Sequence, residues 1–113
     1  MWPATWRAIG HETPYLLEQC RGFRGQVCEY QIGHSQLLAR FYANRPLADT
    51  LLYCTGCDLV SFQTSWDQVD VRVAITHDQH GPIFEITDGG RLRIVCRRAV
   101  LAESRDGVLH IPG

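Results

Sequence analysis

The sequence predicts an α+β domain, a largely antiparallel meander of about six or seven strands. The sheet is free to curve or to close in part into a barrel, with one or two short N-terminal helices packed on it. Three observations predict this class. The apolar period is helical over residues 1–22 and changes to two from Gly25 onward. Short apolar runs then recur between clusters of Gly, Asn, Asp, Pro and Ser. No linker, repeat or low-complexity stretch divides the 113 residues, so a single domain over 1–113 is expected, helical over 1–22 and sheet over 25–111.

Trp2, Trp6 and Ile9 fall at i, i+4 and i+7, an apolar stripe for a first helix. Thr13 as N-cap, Pro14 at the first helical position, apolar Leu16, Leu17 and Cys20, and Gly22 at the stop predict a second. Cys28, Tyr30 and Ile32 alternate with Glu29 and Gln31, and Gly33-His34-Ser35 reads as a turn. Leu37, Ala39 and Phe41 continue the alternation until Asn44-Arg45-Pro46 breaks it. Residues 51–53 and 59–62 are apolar on both faces, as central strands are, and flank a turn at Cys54-Thr55-Gly56-Cys57.

Val69, Val71, Val73 and Ile75 alternate with Asp70, Arg72 and Ala74; Phe84 with Ile86, then Leu92, Ile94 and Cys96, complete the meander. Between the last two strands a three-residue loop at Asp88-Gly89-Gly90 pairs Ile86 with Leu92 and Phe84 with Ile94. It also sets Glu85 against Arg93 as an opposite-charge pair. Residues 108–111 read as a short edge strand ended by Pro112.

Composition narrows function more than it selects one. A hydrophobic share of 45% supports a core without disulfides or metal. The formal net charge of −1 gives no general attraction to nucleic acid or to an anionic membrane. The 11 basic residues are all arginine, which excludes Schiff-base, P-loop and Ser–Lys chemistry. Met1 is not followed by an apolar signal segment, no run reaches the ~20 apolar residues of a membrane helix, and the cysteines number an odd 5. A reduced, cytoplasmic setting is the expectation.

The pattern with most chemical content is Cys54/Cys57 with His77-Asp78-Gln79-His80. If consecutive strands run antiparallel, the turns at His34, 54–57, 77–80 and 103–106 share one end of the sheet. Those at 44–46, 65–68 and 88–90 share the other. Two thiols and two imidazoles at one rim are the donors that tetrahedral zinc takes, so Cys54, Cys57, His77 and His80 are the expected metal ligands, with His34 as a substitute. A CxxC redox pair is disfavoured because strands, not a helix N-terminus, flank it. A nucleophile–base–orienter set from Cys54 or Cys57, His77 or His34, and Asp78 is available, but no nucleophile elbow, HExxH or phosphate loop accompanies it.

Arg91, Arg93 and Arg97 share one strand face with Arg98 beside them, and Arg72 extends it. Glu85, Asp70 and Asp88 lie among them, so this face reads as mixed and solvated. Trp2, Trp6 and Trp66 read as core and lid packing. A good core without a complete catalytic set points to a small, non-enzymatic domain that binds a protein partner. An antitoxin-like or immunity-like role suits such a chain, although no residue selects it. A zinc-stabilised domain is the second expectation, and a small hydrolase with its site at the same rim is the third.

Overall fold

Two long antiparallel strands carry the molecule. In the computed structural model, which describes residues 7–8, 17–43 and 49–104, β4 (Asp49–Phe62) pairs with β8 (Leu92–Ser104) from Asp49↔Ser104 to Phe62↔Leu92. The other strands are β1 (Arg7–Ala8), β2 (Arg24–Gln31), β3 (Gln36–Tyr42), β5 (Ser65–Trp66), β6 (Arg72–Asp78) and β7 (Gly81–Asp88). All belong to one antiparallel sheet in the order β5-β2-β3-β4-β8-β7-β6, with β1 added beside β8.

The expected α+β class is therefore corrected. Arg7 and Ala8 pair with Leu101 and Val100 as a strand, and among the described residues helix is confined to one turn at 17–19 and a 3-10 turn over Ile32–His34. Trp2, Trp6 and Ile9, the stripe of the expected first helix, lie outside the described residues; Arg7 and Ala8 form a strand because β8 offers them an unpaired edge. The turn at 17–19 ends at Gly22, whose φ of +86 suits glycine. Thr13, Pro14, Asn44-Arg45-Pro46 and 108–111 lie outside the described residues. The sheet is open, ending at β5 and β6, so partial closure into a barrel is corrected as well.

Cys54–Cys57 is the second correction. It is not a chain reversal but the middle of β4, marked by a bulge between Cys57 and Leu59. Gly56 sits at φ +63, which favours glycine, and a Cβ there would crowd Cβ of Arg97 at 3.1 Å. Core-facing residues are Leu52 and Cys54, then Cys57, Val60 and Phe62 on β4, and Ile94 and Cys96, then Ala99 and Leu101 on β8. The alternation slips in both strands at this level, as a sharp bend requires. The bend lets the second half of β4 run beside β2: Cys57 N–H donates to Ser35 C=O (3.1 Å), Val27 N–H to Thr64 C=O (2.9 Å), and Tyr30 meets Phe62 edge-on at 5.7 Å.

Beyond β5 the chain passes the start of β2, where Gly22 N–H donates to Val69 C=O and Val69 N–H to Phe23 C=O. It then forms the β6–β7 hairpin. The main core gathers Leu17, Cys20, Phe41, Leu52, Trp66, Val69, Ile86, Ile94 and Leu101 on one face, and Leu38, Tyr53 and Val100 cluster on the other. The β7–β8 register differs by two residues from expectation: Ile86 opposes Ile94, Phe84 opposes Cys96 and Asp88 opposes Leu92. A shift of two keeps every side chain on its expected face. Its cause is Asp88, which stays in the strand because its carboxylate is buried and bonded.

Candidate functional site

The thiols come together, but without the imidazoles. Cys57 and Cys96 are direct cross-strand partners, and Cys96 also shares a thiol hydrogen bond with Cys54. Hydrogen bonding to Cys96 and burial hold the Cys57 thiol far above its ordinary range. The Cys96 thiol is likewise raised, first by its bond with Cys54 and then by burial. Burial and thiol–thiol hydrogen bonding both favour the protonated form of Cys57 and Cys96, the opposite of what activates a nucleophilic or redox cysteine.

His77 opposes Pro82 in the β6–β7 hairpin and His80 sits at its tip. Two strands, β8 and β7, intervene between Cys57 on β4 and β6. At about 4.8 Å per strand this separates the pairs by roughly 14 Å, far beyond shared ligation. His34 is exposed at the β2–β3 turn, whose Ser35 meets the Cys57 backbone on the other side of β4. Among the described residues no group of three or more His, Cys, Asp and Glu side chains is placed to hold a metal ion. The expected turns do not share one rim, because 49–62 is one strand and the later reversals fall at other ends, and Glu103 and Ser104 belong to β8.

Asp78 does not orient a histidine. Its carboxylate takes both ends of the Arg97 guanidinium (2.8 and 2.7 Å) and the backbone N–H of His80 (2.8 Å). The Arg97 hydrogen bond, helped by that N–H, lowers its pKa to about 2. Other described arginines are paired as well: Arg93 with Glu85 at 3.3 Å, Arg24 with Asp67 at 3.0 Å, Arg40 with Asp49 at 2.7 Å. A cavity of about 320 Å³ lined by Leu59, Ser61, Gly89, Gly90, Leu92 and Arg93 holds one ionisable side chain and no acid–base pair.

Asp88 departs from the solvated role expected of it. It is 1% exposed. Its Oδ2 accepts Trp66 Nε1–H (2.8 Å) and Asp70 N–H (3.0 Å), and Oδ1 accepts Arg91 Nη2–H (2.6 Å). Arg91 also donates to the carbonyls of Asp67 and Gln68. One carboxylate thus ties β5, the crossing segment and the β7–β8 turn together, and so sets where β6 begins.

The feature that remains is β6 itself. Arg72–Asp78 is exposed at every position but Val73, pairs only with β7 among the described residues, and has no bulge, proline or lysine. Such an edge carries charge only at its two ends and lacks the other devices that usually keep strands from pairing. Arg91 N–H bonds Asp88 C=O at 3.0 Å, so Asp88, Ile86 and Phe84 direct their main-chain groups to β8. By alternation Ile83, Glu85 and Thr87 serve β6 through Thr76, Ala74 and Arg72. Val73, Ile75 and His77 are left aiming N–H and C=O at the open side. Ile75 lies on the core face of the sheet, opposite Phe84, yet is 45% exposed because the core stops short of it. Alternation marks Val73 and Ile75 as strand residues but carries no strand order, so it does not mark them as an edge.

No protein-family model matches the chain, and comparison with curated proteins and with solved structures returns no significant match. Among the described residues no helix is long and apolar enough to cross a membrane.

Proposed function

We propose that this chain is a non-enzymatic protein-binding module whose partner docks as an extended strand on β6. The observation that carries the reading is the unguarded edge, with main-chain groups of Val73, Ile75 and His77 facing outward and Ile75 bare beside them. Strand addition draws affinity from such main-chain bonds and specificity from the side chains that alternate along the strand. Two further features support it: burial and mutual hydrogen bonding push the Cys57 and Cys96 thiols up, and the cavity is lined by one ionisable side chain. Cys20, Cys28, Cys54, Cys57 and Cys96 are thiols rather than disulfides, which supports a reducing compartment.

Ile75→Pro tests the reading. The Ile75 N–H points away from β7, so proline removes an outward donor without breaking the β6–β7 ladder. Proteins crosslinked to the wild-type chain in native lysate should be lost with Ile75→Pro and retained with Ser61→Ala, while circular dichroism stays unchanged. An identical set of captured proteins for Ile75→Pro would reject the β6 edge as the binding surface.

A further inference from the structure

The β6 edge is complementary to itself, and we infer that its partner is a second copy of this chain, joined β6 to β6 about a twofold axis at Ile75. The inference rests on the reading of β6 as the binding edge and names its occupant. The strand has 7 residues, Arg72–Asp78, with Ile75 at its midpoint and opposite charges at its ends. Antiparallel pairing of two copies sets Arg72 against Asp78 of the other copy at both ends, Val73 against His77, Ala74 against Thr76, and Ile75 against Ile75. Parallel pairing in register would instead oppose Arg72 to Arg72 and Asp78 to Asp78, so charge selects the antiparallel arrangement.

The main chain agrees with the side chains. Val73, Ile75 and His77 carry the outward groups, and in this register they meet one another, giving about six hydrogen bonds, two per pair. The two Ile75 side chains cover each other on the face where each is 45% exposed. Arg72 is free to reach across: it is 77% exposed and held only by a 3.4 Å contact with Asp70. Asp78 keeps acceptor capacity beyond its paired bonds to Arg97. At the other end of the strand order β5 spans only 2 residues, too short for an equivalent joint. The joined area is well below the ~1,200 Å² of a standard stable interface, so the dimer is weak and concentration-dependent.

Sedimentation velocity from low-micromolar to millimolar concentration tests this on the full chain. The wild type should shift from monomer to dimer. Arg72→Asp alone and Asp78→Arg alone should each weaken the dimer roughly tenfold or more, because both end pairs become repulsive. Mixing the two variants puts opposite charges back at both ends and should restore dimerisation between them. Ile75→Pro, its fold checked by circular dichroism, should remain monomeric. A wild type that stays monomeric at millimolar concentration overturns self-pairing, leaving the edge itself to be judged by the crosslinking comparison. A dimer unaffected by both Arg72→Asp and Ile75→Pro is seated elsewhere and overturns the inference.

Discussion

Replacing Asp88 by alanine should be among the most destabilising single changes in the described chain. The carboxylate is 1% exposed and accepts from Trp66 Nε1–H, Asp70 N–H and Arg91. Trp66 is itself buried, so its indole N–H has no water to turn to. Each hydrogen bond to a charged group is worth about 1.5–3 kcal/mol, and a donor left unsatisfied in the interior costs about 1–3 kcal/mol. Arg91 is 30% exposed and recovers part of its solvation, so its share is smaller. Together these place Asp88→Ala at about 3–5 kcal/mol, the range for breaking a buried charged pair. At roughly 4 °C per kcal/mol for a domain of this size, the melting temperature should fall by about 12–20 °C. Asp88→Asn keeps the shape but turns an NH₂ toward a donor, and should cost about 2 kcal/mol. Urea denaturation followed by tryptophan fluorescence measures both. If neither variant differs from wild type by more than ~1 kcal/mol, the reasoning is wrong that this carboxylate fastens β5 and the crossing segment to the β7–β8 turn.

Three other outcomes are expected. A Cβ at Gly25 would lie 2.5 Å from Cε2 of Trp66, and the indole is pinned by Asp88, so Gly25→Ala should cost about 1–3 kcal/mol in urea denaturation; an unchanged midpoint would contradict this packing. Asp78 has a folded pKa of about 2 against an ordinary 3.8, so its ion pair stabilises the fold above about pH 4 and is lost as pH falls toward 2; Arg97→Gln should return the carboxyl titration, followed by NMR, toward the ordinary value, and an unmoved titration would contradict the pairing. Cys28 is the exposed thiol, slowed by desolvation, whereas Cys20, Cys54 and Cys96 are buried; native alkylation read by mass spectrometry should modify Cys28 first, and early modification of Cys96 would contradict the packed thiol cluster.

Alternation made β2, β3, β6, β7 and the first half of β8 legible, because one face of each meets the core while the other meets solvent. The apolar run at 51–53 correctly marked a central strand, since that half of β4 lies between β3 and β8, whereas 59–62 belongs to the same strand beyond the reach of β3 and is only partly buried. What misled was Cys54-Thr55-Gly56-Cys57. A glycine at positive φ within polar neighbours signals a bulge as readily as a turn, and only the partner strand distinguishes them. That one ambiguity moved every later reversal and assembled a metal site from residues on strands three positions apart in the sheet. At the N-terminus, spacing alone did not show that Arg7 and Ala8 find a free edge on β8. The role of Asp88 was hidden because an Asp-Gly-Gly sequence reads as a solvated loop, whereas its donors, Trp66 and Asp70, are distant in sequence and reach it only through the β5 crossing.

The most direct measurement of the β6 edge is main-chain amide exchange by NMR across a concentration series. In dilute solution the N–H groups of Val73, Ile75 and His77 should exchange fast, while those of Arg72, Ala74 and Thr76, bonded to β7, exchange slowly. As concentration rises, the first three should become protected and the second three should not change. Fast exchange at Val73, Ile75 and His77 at every concentration, with new protection on another strand, would contradict β6 as the surface through which this protein pairs.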